Sequence, residues 1–164
     1  MDLEIKSLMT PGIELVKSAG IYHQIHAYEH DASNTSFGLE AVEKLNVDPE
    51  RVFKTLVVST EKNELIVAIL PVGEQLSMKK IAKAAASKKA SMADKNVVEK
   101  STGYLLGGVS PLGQKRLYTT IIDSCAKAHE SIFVSAGRRG LEIELRAEDL
   151  KELTLAKFFD ILQK

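Results

Sequence analysis

A chain of 164 residues is long enough for one domain with its own core and too short for two comfortable ones. Its 22 basic and 22 acidic side chains cancel, which excludes the whole-molecule field that draws general nucleic-acid binders to their ligand. No apolar run approaches the ~20 residues that span a bilayer, the first residues show no leader pattern, and the lone Cys125 permits no internal disulfide, so a cytoplasmic protein without a membrane partner is expected.

Thr10 and Pro11 predict a helix start, as N-cap and first-turn proline, and Gly20 closes that helix after Ile13, Leu15 and Val16. A short strand is expected over residues 23–30 and a helix over 36–45. Asp48-Pro49 marks a turn, followed by strands at 52–58 and 65–70 that form a hairpin around Glu61-Lys62-Asn63. Ser77 caps a helix with Met78, Ile81, Ala82 and Ala85 at helical spacing, a stripe read as core. A strand at 90–92 and a helix at 94–100 follow. Residues 101–114 are rich in Gly, Ser and Pro. Strands are expected at 117–122, 131–134 and 141–145, and helical turns at 147–152 and 155–162. Strands outnumber any regular βα alternation, so a single α+β domain with a mixed sheet is preferred to a doubly wound one.

The familiar catalytic patterns are missing. The glycines at 103, 107, 108 and 113 spell neither G-x-x-x-x-G-K-[ST] nor G-x-G-x-x-G. His23, His26 and His30 would make a metal set on a helix, but on a strand His23 faces away from the other two, so no metal is expected. Cys125 has His129 four residues on and no third group to orient the pair, and a small buried thiol beside a surface histidine is the plainer reading. Basic residues fall in local groups, at Lys79, Lys80 and Lys83, at Lys88 and Lys89, at Lys115 with Arg116, and at Arg138 with Arg139. Each reads first as a solvated face or turn, and any polyanion site must be one of them.

The residue out of place is Lys54. Within Val52-Phe53-Lys54-Thr55-Leu56-Val57-Val58, alternation puts Phe53, Thr55 and Val57 on one face and Lys54 with Val52, Leu56 and Val58 on the other. A desolvated ammonium there needs a partner or a ligand, although an edge-strand lysine is an alternative. Two glycine-bearing loops, 107–111 and 135–140, add backbone donors that can approach a ligand closely; plain turn chemistry is their commoner use.

These residues, with Tyr28-Glu29-His30-Asp31, Phe37-Gly38, Met92-Ala93-Asp94, Ser101-Thr102-Gly103-Tyr104 and the stretch 134–141, resemble in order and spacing the YbaK/EbsC family of single-domain editing proteins. The resemblance runs from about Met9 to the C-terminus, which makes residues 1–8 an N-terminal extension and 9–164 the deacylase domain. It implies a mixed, barrel-like sheet core surrounded by helices, and a cleft for the 3′ end of an aminoacylated tRNA. It makes Lys54 the required catalytic residue and places Thr55, Tyr28 and Phe37 in the pocket. The family's G-x-x-x-P loop is matched by Gly107 to Pro111, and its Ser-Gly-Gly loop by Ser135-Ala136-Gly137, with alanine as a departure. A family aspartate is matched by the longer Glu142. The activity implied is removal of mischarged cysteine from proline tRNA, assisted by the substrate's own thiol, with prolyl-tRNA synthetase as a partner, no cofactor and no role for DNA. Deacylation of another small residue such as alanine, and a non-catalytic module that binds tRNA or a synthetase, are the alternatives. The physical need is plain: an apolar pocket separates side chains of neighbouring size by only ~1–3 kcal/mol, so a second sieve is required.

Overall fold

Two β-sheets share the interior of the computed structural model, which describes residues 9–164. Helix α1 (Pro11–Ser18) starts where Thr10 Oγ1 accepts a hydrogen bond from Ile13 N–H, and it buries Ile13 and Val16. Strand β1 (His23–Ala27) and helix α2 (Phe37–Leu45) follow, α2 ending on Asn46 in the left-handed region, where asparagine is tolerated best after glycine. A 3-10 turn (Pro49–Arg51), capped by Asp48, leads into β2 (Phe53–Thr60), which forms an antiparallel hairpin with β3 (Leu65–Pro71). Ser77 Oγ caps α3 (Met78–Ala84) by accepting from Lys80 N–H. Then come β4 (Ala90–Met92) against the end of β2, and α4 (Lys95–Thr102), closed by Gly103 at φ 88°. Strand β5 (Thr119–Asp123) lies parallel to β3, and β6 (Ile132–Arg138) pairs antiparallel with β7 (Leu141–Leu145), which also pairs with β1. Helix α5 (Ala147–Thr154) and strand β8 (Lys157–Phe159) end the chain.

The five-stranded sheet has the order β4-β2-β3-β5-β8 and the three-stranded sheet the order β1-β7-β6. A parallel bridge between Val52 and Phe133 joins them. The main core lies between the sheets, with Phe53, Val57, Ile69, Ile122, Val134, Ile143 and Leu145 interlocked. A second cluster, around Val58, Ile66, Leu70 and Ile121, fills the opposite face of the larger sheet. Each such aliphatic side chain contributes ~1.5–3 kcal/mol on burial. This is the mixed-sheet α+β domain the strand count predicted, with five α-helices among the described residues. Among those residues no helix is long and apolar enough to cross a membrane; residues 1–8, expected as an extension, lie outside them.

Three element expectations change, one of them the strand expected at 131–134, which runs on through a bulge to Arg138. The first strand stops at Ala27 rather than residue 30. The segment 155–162, expected as helical turns, is a strand: Leu155 at φ 54° ends α5, and Lys157–Phe159 pairs parallel with Ile121–Asp123. The open side of β5 offers hydrogen bonds over one flank of the core, and Phe158 packs on the main cluster while Phe159 packs on the second. Tertiary pairing has overridden the local helical pattern.

Candidate active site

A cleft of about 420 Å³ opens where β2, β6 and β7 converge, within the size range of small-ligand sites. Lys54 enters it from β2. On the same side of that strand Val52 belongs to a small apolar cluster with Ala41 and Phe133, while Val58 belongs to the second core cluster. Lys54 falls between the two. Its Nζ donates one long hydrogen bond, 3.4 Å, to Val72 O. Burial lowers the ammonium pKa, and the Glu74 carboxylate partly offsets this. Next to it, the Thr55 hydroxyl is buried without a partner among the described residues. An unsatisfied buried hydroxyl is costly, and here it lies in the lining of the cleft.

Tyr28 and Glu142 line the same space. Burial, with the nearby Glu142 adding to it, pushes the Tyr28 phenol up to about 12, so the side chain stays a neutral donor. Glu142 is 7% exposed, and burial raises its carboxyl to about 8. Glu144, two residues along β7, behaves oppositely. Burial opposes its charge, but hydrogen bonds from Ser131, His26 and Arg51 hold it below the usual carboxylate range. The difference is hydrogen bonding: Glu144 has donors from protein side chains, and the lining of the cleft supplies Glu142 with none.

The two loops meet at the mouth. A Cβ on Gly108 would stand 2.8 Å from Arg138 Cα, so the main chains touch there only because residue 108 is glycine. Gly38, on the other wall, is pressed against a side chain instead: a Cβ there would stand 2.4 Å from Val72 Cγ1. The backbone N–H groups are unevenly occupied. Gly108 donates to Leu105 O (2.9 Å) and Gly137 to Ser135 Oγ (3.1 Å), while Gly107 N–H makes no hydrogen bond among the described residues.

The structure thus brings together Tyr28, Lys54, Thr55, Gly107, Ser135 and Glu142. Pro111 and Gly137 do not line the cleft. Pro111 is buried in the loop whose Ser110 and Leu112 abut Gly12 of α1, and Gly137 faces the ring of Tyr104. Phe37 opens α2, and its side chain is not among those described. Ala136, which departs from the family's glycine, keeps an ordinary strand conformation, and the left-handed backbone of that loop falls on Gly137 at φ 122°. Arg138, Arg139, Leu106 and Val72 also line the cleft. Sequence reasoning marked the arginines only as one basic pair among several, and the glycines flanking them were the available signal.

The other candidate groups lie elsewhere. Cys125 sits in the 3-10 turn Ser124–Ala128, where burial, and then the hydrogen bond and negative charge of Asp123, push its thiol up to about 12. His23 Nδ1 contacts Ile21 O, His26 bonds Glu144, and His30 bonds Glu40. A larger cleft, about 720 Å³, is bordered by Tyr22, Lys127, His129, Glu144 and Arg146. Of the carboxylates that line it, Glu144 is already engaged by Arg51, Ser131 and His26. The Lys54 cleft, with unsatisfied polar groups, is the chemically open one.

The described residues thus form a small mixed-sheet domain with a glycine-rimmed cleft that holds Lys54, Arg138 and Arg139 and is lined by no cysteine or histidine. The family model for the aminoacyl-tRNA editing domain matches residues 34–153, and the chain belongs to that family. It is 39% identical over 138 residues to a protein of Enterococcus faecalis provisionally named Cys-tRNA(Pro)/Cys-tRNA(Cys) deacylase EbsC, covering 84% of each chain. It is 28% identical over 118 residues to the uncharacterised YwhH of Bacillus subtilis, covering 72% of this chain and 74% of that one. A crystal structure of a candidate trans-editing enzyme for prolyl-tRNA synthetase superposes with a TM-score of 0.80 at 19% identity, over 95% of this chain and 99% of that one. A hypothetical protein reaches a TM-score of 0.84 at 23% identity, over 94% and 100%. These two likenesses establish the shared fold.

Proposed function

We propose that the protein is an aminoacyl-tRNA deacylase that removes mischarged cysteine from proline tRNA, with the Lys54 cleft receiving the esterified 3′ end. The observation that carries the reading is the half-buried Lys54 ammonium beside a cleft lined by no cysteine or histidine. Such a site has a cation to hold and polarise an ester and no activated nucleophile of its own. The attacking group then comes from the substrate.

The cysteinyl thiolate attacks its own ester carbonyl carbon. A C–S bond forms, the bond from that carbon to the ribose oxygen breaks, and the ribose oxygen leaves and takes a proton from water. The products are tRNA with a free 3′ end and a cyclic cysteine thiolactone, which water opens. Attack within one molecule is worth an effective molarity of up to ~10⁵ M or more when the geometry is held. Lys54 and the open N–H of Gly107 are suited to stabilise the developing oxyanion, since both present donors without a strong protein acceptor. Tyr28, Thr55, Ser135 and the neutral form of Glu142 supply polar contacts for the amino-acid moiety. A tRNA substrate places the activity in the cytoplasm, beside prolyl-tRNA synthetase as the source of the mischarged ester.

The deciding assay presents the protein with cysteinyl- and alanyl-proline tRNA. Rapid loss of cysteine alone is expected. Equal release of alanine would remove the thiol mechanism, and release of neither would make the protein a binding module.

A further inference from the structure

In a regular ladder Ala136 would stand opposite Leu141, because Ser135 stands opposite Glu142; instead Arg138 does, and Ala136 and Gly137 are extra residues on β6. Residues three apart on a regular strand face opposite sides. The bulge cancels that alternation, so Ser135 and Arg138 both line the Lys54 cleft. Bulges beside ligand sites commonly re-aim a side chain. Here the re-aimed group is a guanidinium that, among the described residues, makes no hydrogen bond or ion pair. The contact between Gly108 and Arg138 Cα holds its backbone in place. Its neighbours are otherwise engaged: Arg139 Nη2 donates to Leu106 O (3.3 Å), and Lys54 lies deeper, at Val72 O. Arg138 itself is exposed, at the mouth.

We infer that Arg138 is a substrate-binding residue that holds the phosphodiester on the 5′ side of the terminal nucleoside while the ester lies at Lys54. This rests on the deacylase reading and adds a phosphate subsite to it. A planar guanidinium matches a phosphate in a paired, forked geometry. In a chain of zero net charge the attraction for a polyanion has to be this local. The carboxyl that shares the cleft, Glu142, is neutral below about pH 8 and does not cancel it.

The test compares two small substrates, the 3′-cysteinyl ester of adenosine and the same ester carrying a 5′-phosphate. With the wild-type protein the phosphate should raise kcat/KM by about tenfold, as expected for one solvent-facing charge-assisted contact. In Arg138→Gln that ratio should fall to about one, and Arg138→Lys should restore part of it. A ratio of one in the wild type, or a ratio unchanged by R138Q, overturns the subsite while leaving the deacylase reading intact. If neither ester is cleaved, the tRNA assay above still decides the deacylase reading, and the subsite is judged by binding of a non-aminoacylated RNA ending in CCA. There R138Q should weaken affinity and reduce the salt slope by about one ion; an unchanged slope overturns the subsite on its own.

Discussion

Glu40, 1% exposed, sits beneath the chain that leaves β1 and accepts hydrogen bonds from His30 Nδ1 (2.5 Å) and Asp31 N–H (2.9 Å), with Lys44 Nζ 3.7 Å away. One buried carboxylate therefore fixes the loop that follows Tyr28 onto α2. Burial opposes its charge, but the Asp31 and His30 hydrogen bonds prevail and its pKa lies below the ordinary glutamate value. A carboxyl with a depressed folded pKa adds stability above its unfolded pKa and loses it as pH falls through the folded one. Glu40→Ala should cost about 3 kcal/mol at pH 7, because it strands buried partners. Its urea midpoint should also fall less steeply than the wild type's below about pH 4.3, the ordinary glutamate range. Parallel acid profiles for the two proteins would contradict this account.

Lys54→Ala should reduce single-turnover deacylation by at least ~10²-fold, the scale of one lost oxyanion donor. Its ammonium is half-desolvated with one long contact, so stability should change by less than about 1 kcal/mol. A folded variant with near-normal turnover removes Lys54 from the chemistry.

Glu142 titrates in the opposite sense to Glu40. Its folded pKa is raised to about 8 by burial, so between roughly pH 4.3 and that value the folded chain binds the extra proton. Stability then declines as pH rises through this window and levels off above it. Glu142→Gln lacks the proton equilibrium, so its melting temperature should gain on the wild type steadily from pH 5 to about pH 8 and then hold its lead. A constant offset across that range would show that Glu142 ionises normally.

Cys125→Ser should deacylate cysteinyl tRNA at the wild-type rate, since the Cys125 thiol is pushed up to about 12 and lies outside the cleft. Replacing the substrate's cysteine by serine should slow the reaction far more, because a neutral hydroxyl is a much poorer nucleophile than a thiolate. Matching rates on the two substrates would sink the substrate-assisted path.

Gly108→Ala forces a Cβ to within 2.8 Å of Arg138 Cα, a main-chain atom that a rotamer change does not move. Overpacking of this kind costs ~1–3 kcal/mol, and the displaced loop should lower kcat/KM with it. Unaltered denaturation and turnover together would mean that the two loops yield freely.

Where local patterns govern, the sequence was readable. Thr10-Pro11, Ser77 and the alternating run of β2 each dictate the structure within a few residues, and the same alternation isolated Lys54. What escaped depends on distant partners. Strand β8 exists because β5 leaves a parallel slot open, and nothing in Lys157-Phe158-Phe159 announces it. Strand β6 continues through Ser-Ala-Gly, a turn-like tripeptide, because it bulges rather than stops. On β7, Leu-Glu-Ile-Glu-Leu alternates as though both glutamates faced water; their different burial follows from what covers each of them.

The glycine contacts at the mouth bear on discrimination by size. Gly108 against Arg138 Cα brings two main chains together at the mouth, and Gly38 leaves room for the Val72 side chain. At Gly108 the calibre of the opening is therefore set where a side chain is missing, while at Gly38 it also depends on the Val72 side chain, which lines the cleft. Trimming a lining side chain deepens the cleft locally without parting its walls. A relative selected to admit a bulkier aminoacyl group is expected to differ first at the positions of Gly38 and Gly108, where a single methyl would act as a spacer.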